Sequence, residues 1–408
     1  MSVPNVLLGT TAVMLIRSAL GLGARVAQPL ELRSELPPQS TLRKARFNSE
    51  DLMAAQEMVE DGDFSVWYSK QASLFRLAPA LSGPDKRGID ESEFFNAVQK
   101  VQQCRLSAAS QSSLQSGVVT FLVTRSTDLW RLGQSLPRLR YFFLRHWPYD
   151  VKIFIPGDAL RHYDGHSFRE SPTPEEVLQV VRQHLGQDCK WEVATFDMSF
   201  PKVLGNNRTW ETRMNECARS VSTSYKHMNQ FFIKAMYEHP ALKKYRYYLR
   251  LDADFSFTAD LDMDPFCMMA ATGRKFVWQT RKHIVDKQCS SGMWEWFSEY
   301  QRTHGLTPQD PIFWTPEGAK VNYVGYAGMG DLAFFRSEPV RRLAEALNED
   351  GRIYLSRWSD QTYYVLLFAL FENHTAVGDI GFGWRDGTWC HKCDFEEAPF
   401  NPVTGKVE

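Results

Sequence analysis

The stretch that decides the fold is "YRYYLRLDADFSFTADLDMDPF", Tyr245 to Phe266, in which an aromatic, β-rich run ends in a burst of carboxylates. Alternation along a strand puts residues i and i+2 on one face, so Arg250, Asp252 and Asp254 are predicted to point together at the strand's end. Two hard oxygen donors side by side suit a divalent cation such as Mg²⁺ or Mn²⁺, above all one that also grips phosphates. A solvated strand end, its acids paired with Arg250 or capping the next element, accounts for the same residues without a metal.

Upstream, "SGVVTFLVT", Ser116 to Thr124, is the short β-branched apolar run of a buried parallel strand. The helical stretch "DLWRLGQSLPRLRYFFLRH" follows, and then a second apolar strand, "YDVKIFIPGD". Strand, helix and strand at this spacing make a βαβ unit, hence an α/β fold with a mostly parallel central sheet flanked by helices. "TPEEVLQVVRQHLG" has proline at its start and Gly186 at its end, the usual asymmetry of a helix. "SYKHMNQFFIKAMYEHPAL", Ser224 to Leu242, reads as an amphipathic helix stopped at Pro240 that feeds the acidic strand. Beyond the acids, Asp264-Pro265 is the signature of a helix start, which makes Asp264 a cap rather than a ligand. "GDLAFFRSEPVRRLAEALNEDG" reads as a strand, a Ser337 cap and a helix closed by Gly351; "SDQTYYVLLFALFENH" is an apolar helix capped by Ser359 or Asp360.

The 408 residues suffice for one large domain with an appendage, and 43% hydrophobic with 13% aromatic residues excludes wholesale disorder. A formal charge of -1 gives no bulk attraction to nucleic acid, and no nucleic-acid motif is present. Residues 1–27 contain the apolar run "VPNVLLGTTAVMLI", shorter than the roughly 20 residues that span a bilayer. It reads as a signal-peptide core, a signal-anchor or an organellar transit segment, and so leaves membrane attachment through the N-terminus open. Residues 28–115 are polar and stem-like, and 116–408 carry the domain. Seven cysteines are a moderate count for this length, and two glycosylation triplets, at Asn207 and Asn373, lean slightly toward a secretory lumen. The lone Cys390-x-x-Cys393 lacks the second pair that a structural zinc requires, so a disulfide is the simpler use.

In an open α/β sheet, ligands bind beyond the carboxyl ends of the strands, where the D-A-D is predicted to sit. The glycine cradles for dinucleotides and nucleoside triphosphates are absent. A metal held by two aspartates can neutralise a departing diphosphate, which is what transfer from a nucleotide-sugar requires. The rival is an aspartyl-phosphate phosphatase with Asp252 as nucleophile, whose motif continues with Gly and then Thr or Val where this chain has Phe255-Ser256.

The same stretch resembles that of the fungal Golgi α-1,2-mannosyltransferases, glycosyltransferase family fifteen, as do "VVTFLVTR", "SYKHMNQFF", "GDLAFFRSEPVRRL" and "RWSDQ", in the family's order. The resemblance implies a GT-A-like fold, a type II Golgi membrane protein, GDP-mannose as donor, Mn²⁺ as cofactor and retaining transfer onto the mannose of a glycan acceptor. By position it implies Asp252 near the metal and diphosphate, with Asp254 at the third place of the acidic triplet as a carboxylate that the family's Glu-Pro-x lacks, Tyr225 and His227 on the donor side, and Arg125 at the nucleotide. Bland readings stand beside these: Tyr225 and His227 as packing residues, Arg125 as a surface residue at a strand end.

The chain also departs from the family. Gly328 stands where the family has its candidate nucleophilic Glu, and Trp384 where it has a metal-binding His. His391 is close in sequence to that second position, but a lone histidine is more often structural. A front-side attack, in which the departing diphosphate assists the acceptor hydroxyl, needs no protein nucleophile and leaves Asp331 or Asp360 to orient the acceptor. The other reading is a non-catalytic relative that binds a nucleotide-sugar or glycan.

Overall fold

The computed structural model describes Cys104 and residues 116–157, 171–197, 199–205, 208–261, 264–283, 289–311, 313–373, 376–379, 389–392, 400–401 and 406–407. All of these fall in the compact unit Lys100–Glu408. The N-terminal segment 1–27, the stem apart from Cys104, Asn207, Trp384 and Cys393 lie outside the described residues.

Strands β1 (Gly117–Leu122), β2 (Asp150–Pro156), β3 (Trp191–Phe196) and β4 (Tyr247–Leu251) are joined by helices α1 (Ser126–Leu139), α2 (Pro174–Leu185) and α3 (Thr223–Gln230). Then come β5 (Phe255–Phe257), α4 (Pro265–Thr272), β6 (Phe276–His283), α5 (Met293–Thr303) and β7 (Val321–Asp331). The described chain ends with α6 (Glu338–Asp350), α7 (Asp360–Phe371), β8 (Val377–Asp379), β9 (Trp389–His391) and the short strands β10 (Phe400–Asn401) and β11 (Lys406–Val407). The main sheet runs β3-β2-β1-β4-β7-β6-β8. Its first four strands are parallel, β7 runs antiparallel to both β4 and β6, and β8 returns parallel to β6.

This order follows from the sequence. All six residues of β1 are buried, as a strand covered on both faces must be. Its core joins Val119, Phe121 and Val151 to Leu132 and Leu136 of α1 and Val177 and Val181 of α2. The 224–242 helix is continuous to Glu238 but contains a π-turn over Phe231–Ala235, and Pro240 opens a separate 3-10 turn. Asp264 is indeed a cap: its carboxylate accepts from the Phe266 and Cys267 N–H groups and from the Tyr149 hydroxyl. "LAFF" is a short helix, Leu332–Phe335, rather than a strand.

The cysteines pair as Cys104–Cys267 and Cys217–Cys289, Cys390 is disulfide-bonded, and Cys189 is the free thiol among the described residues. The first bridge pins the chain ahead of β1 onto α4, and the Asp264 N–H also bonds the Cys104 carbonyl. The boundary expected at residue 116 therefore falls inside the unit.

Gly330 marks the tightest approach between β7 and its cover. A β-carbon there would come within 2.4 Å of the Tyr248 ring and 2.7 Å of Phe335. Gly330→Ala should therefore cost roughly 1–3 kcal/mol through overpacking. Chemical denaturation should show a lower midpoint with an unchanged slope.

Candidate metal and donor site

Tyr248, Arg250 and Asp252 share one face of β4. The strand ends at Leu251, and the Asp252 N–H extends the ladder by one bond to the Tyr326 carbonyl of β7, at 2.7 Å. The chain then turns, with the Phe255 N–H on the Asp252 carbonyl at 2.9 Å. Asp254 thus sits in a turn rather than at the next position of the strand. β5 pairs in its own two-stranded sheet with β9, and that register sets His391 opposite Phe255.

The pairing brings in a residue that sequence reasoning set aside. His391 Nε2 lies 3.2 Å from Asp254 Oδ1, and the imidazole stacks on Tyr326 with ring centres 3.6 Å apart. Asp252, Asp254 and His391 can each turn one donor atom into a cluster no wider than 4.8 Å. With metal–oxygen distances of about 2.1 Å, neighbouring and opposed ligands of an octahedral ion stand about 3 to 4.2 Å apart, so a small closure of these side chains completes a set. Two carboxylates and an imidazole fit Mn²⁺ or a similar ion and leave positions for water or phosphate oxygens.

The electrostatics match. Burial pushes the Asp252 carboxyl up to about 6; Arg250 opposes this, and the charges of Asp254 and Asp360 add to it. Burial also acts on Asp254, but the hydrogen bond and charge of His391, together with Arg131, hold its carboxyl below the usual range. Arg131 Nη1 meets Asp254 Oδ2 at 3.1 Å. Two neighbouring carboxylates that strain against shared charge are the setting in which a divalent cation is stabilising.

Beneath Asp252 lies a buried relay. Arg250, 5% exposed, donates through Nη1 to Asp360 at 2.6 Å and through Nη2 to Asp252 at 3.3 Å. Its guanidinium lies 3.3 Å above the Phe232 ring. Asp360 opens α7, while Ser359 is the cap that accepts from the Thr362 N–H. At 1% exposure Asp360 cannot reach an acceptor, so it positions Arg250 instead of orienting substrate.

Asp331 is displaced further still. Because β7 is antiparallel to β4, Asp331 pairs with Tyr247, at the start of β4. Four residue steps of about 3.3 Å put it about 13 Å along the sheet from Leu251. There it binds Arg246 at 2.6 Å and accepts from the Ala333 N–H at 2.9 Å. It is a cap and ion-pair partner at the pole opposite the metal cluster.

Arg125 stands at the carboxyl end of β1, half exposed, with its guanidinium doubly bonded to Asp128. Tyr225 lies in the first turn of α3, and the Arg357 guanidinium lies 5.3 Å from its ring. His227 is 1% exposed and packed among Phe200 and Tyr354, which is the packing role and not a ligand contact. Gln230 donates to Asn348 and accepts from the Tyr354 hydroxyl, which leaves His227 Nδ1 as the donor to that hydroxyl. Gly328 pairs with Arg250 and Trp278 in the middle of β7 and offers no functional group.

A mixed, mostly parallel sheet in which β4 leads into a D-x-D candidate metal cluster is the arrangement of a GT-A-like glycosyltransferase fold. A family profile described as "Glycolipid 2-alpha-mannosyltransferase" matches residues 86–398, and the chain belongs to that family. It is 22% identical over 345 residues to the probable mannosyltransferase KTR3 of Saccharomyces cerevisiae, covering 79% of this chain and 77% of that one. It is likewise 22% identical over 379 residues to the O-glycoside alpha-1,2-mannosyltransferase homolog 4 of Schizosaccharomyces pombe, covering 79% and 82%. The fold is similar to the solved mannosyltransferase Ktr4p of S. cerevisiae, with a TM-score of 0.58, 19% identity and 85% and 86% of the two chains covered. It is also similar to core-mannan synthase A of Aspergillus fumigatus in its Mn/GDP form, with a TM-score of 0.54, 19% identity and 75% and 86% covered.

Burial gives His227 a measurable signature. Its imidazole is pushed from 6.5 down to about 4 by burial, against a hydrogen bond to Gln230. The unfolded chain therefore takes up the proton first as pH falls. The neutral histidine's contribution is complete above 6.5 and is lost on the way down to about 4. Linkage sets that loss at about 3 kcal/mol. Unfolding free energies measured between pH 7 and pH 4 should fall more steeply in the wild type than in His227→Gln, by about that amount.

Proposed function

We propose that this chain is a luminal, Mn²⁺-dependent glycosyltransferase that moves mannose from GDP-mannose to a glycan acceptor with retention. The observation that carries the reading is the convergence of Asp252, Asp254 and His391 at the carboxyl end of β4. Family membership supports the reaction class. A relative solved in a Mn/GDP form and another solved with GDP support the metal and the nucleotide. Both also favour transfer over phosphomonoester hydrolysis with Asp252 as nucleophile. The disulfides suit an oxidising compartment, in keeping with entry into the secretory pathway. No helix among the described residues is long and apolar enough to cross a membrane. We take residues 116–408, with Cys104 bridged to them, as the transferase domain.

In this reading Asp252, Asp254 and His391 hold the cation, which when bound neutralises the diphosphate. Arg250 fixes Asp252 from below, and Asp360 fixes Arg250. Arg125 and Tyr225 line the donor side. As the bond from the sugar C1 to the diphosphate breaks, its electron pair leaves with the diphosphate. The acceptor oxygen bonds C1 from the same face, and its proton passes to a departing phosphate oxygen. The chain contributes positioning and a fixed electrostatic field, the terms that dominate such transfers. No side chain at Gly328 takes part.

With Mn²⁺, GDP-mannose and a mannoside acceptor, the wild type should release GDP. Asp252→Asn and His391→Ala should each lower that rate about 100-fold or more. Gly328 favours a second reading, ligand binding without turnover. That reading gains if Mn²⁺ and GDP raise the melting temperature while no acceptor elicits GDP release. The first fails outright if Mn²⁺ and GDP leave the melting temperature unchanged.

A further inference from the structure

Among the described residues, two that are not glycine have left-handed backbone: Arg357 at φ 60° and Lys392 at φ 55°. L side chains rarely adopt this region, and the residues that do so at least cost are glycine and asparagine. Both exceptions are cations. Lys392 stands beside the candidate metal cluster, and Arg357 beside Tyr225 of the proposed donor side. Lys392 directly follows His391, and its N–H bonds the Asp254 carbonyl at 3.0 Å. Arg357 lies in the turn that leads into Asp360, with its guanidinium 5.3 Å from the Tyr225 ring.

The neighbouring arginines are already engaged. Arg125 is held by Asp128, Arg131 by Asp254, and Arg250 by Asp360 and Asp252. Among the described residues neither Arg357 nor Lys392 has a carboxylate partner. The one hydrogen bond recorded for the Arg357 side chain runs from Nη1 to Cys289 Sγ at 3.9 Å. A divalent ion facing two aspartates is close to neutral as a unit, so it cannot by itself balance a diphosphate that gains charge as it departs. Unpaired cations are required. Strained backbone persists where surrounding structure and function hold it, and here it is found at two cations with no carboxylate partner among the described residues, one beside the candidate metal cluster and one beside Tyr225.

We propose that Arg357 and Lys392 grip the diphosphate of the nucleotide-sugar donor and receive its charge when the sugar leaves. This inference rests on the donor reading given above. Arg357 supplies a planar fork that suits phosphate oxygens, and Lys392 supplies a point charge next to a metal ligand.

Glycine tests this cleanly, because it relieves the backbone while removing the cation. The full chain, loaded with Mn²⁺, would be titrated calorimetrically with GDP and with GMP as wild type, Arg357→Gly, Lys392→Gly and Arg357→Lys. Each glycine variant should melt, without ligand, at or above the wild-type temperature. Each should also bind GDP at least tenfold more weakly, with GMP affinity changed less than threefold. Arg357→Lys should recover part of the GDP affinity. The inference is overturned if both glycine variants keep wild-type GDP affinity. It is equally overturned if they melt lower and lose GDP and GMP in the same proportion, the mark of a structural role. A wild type that binds neither nucleotide defeats the donor reading and this inference together, whereas wild-type binding matched by the glycine variants defeats this inference alone.

Discussion

A buried guanidinium must be answered by carboxylates, and the site is organised around how Arg250 is answered. Its two partners come from different parts of the fold: Asp360 from the first turn of α7 and Asp252 from the end of β4. Removing one member of such a buried set costs about 3–5 kcal/mol because the remaining charge is stranded. Around this contact the packing is aromatic. Phe232 lies under the guanidinium, and the hydroxyls of Tyr237 and Tyr364 meet at 2.6 Å just below, tying the helix that precedes β4 to α7. The orientation of Asp252, and with it one member of the candidate metal cluster, follows from this core.

β7 shows what the arrangement demands of its neighbours. Gly325, Gly328 and Gly330 fall where the strand passes Arg250, Trp278 and Tyr248. Paired residues in an antiparallel ladder face the same way. A carboxylate at position 328 would therefore share a face with Arg250, whose charge Asp360 and Asp252 already balance. The absence of that side chain is consistent with the rest of the local charge arrangement. On the reading proposed above, it leaves the chemistry to the departing diphosphate, with no protein nucleophile.

Much of this was legible in sequence wherever the determining pattern was local. The βαβ rhythm, the D-x-D at a strand's end, the Asp264 cap and the Gly351 stop all rest on residues close in the chain. Asp331 misled because strand direction is not encoded in an apolar run: once β7 turns antiparallel, its carboxyl end lies at the wrong pole. Asp360 misled because a helix-start acid reads the same whether it faces solvent or a buried arginine. His391 was set aside because its place depends on the pairing of β9 with β5, two three-residue strands far apart in sequence. Nothing near His391 announces that pairing.

On the reading proposed above, that pairing gives the candidate metal site a chronology. Both aspartates are made, and their strand can be laid into the sheet, well before the ribosome reaches Trp389. An emerging chain thus holds a pair of carboxylates with no imidazole opposite them and a weak grip on any cation. Only when Trp389–His391 is synthesised and β9 docks on β5 do the three candidate ligands come together. On the same reading, capture of the ion is then a late event in the life of the polypeptide, and it reports that β9 has docked on β5.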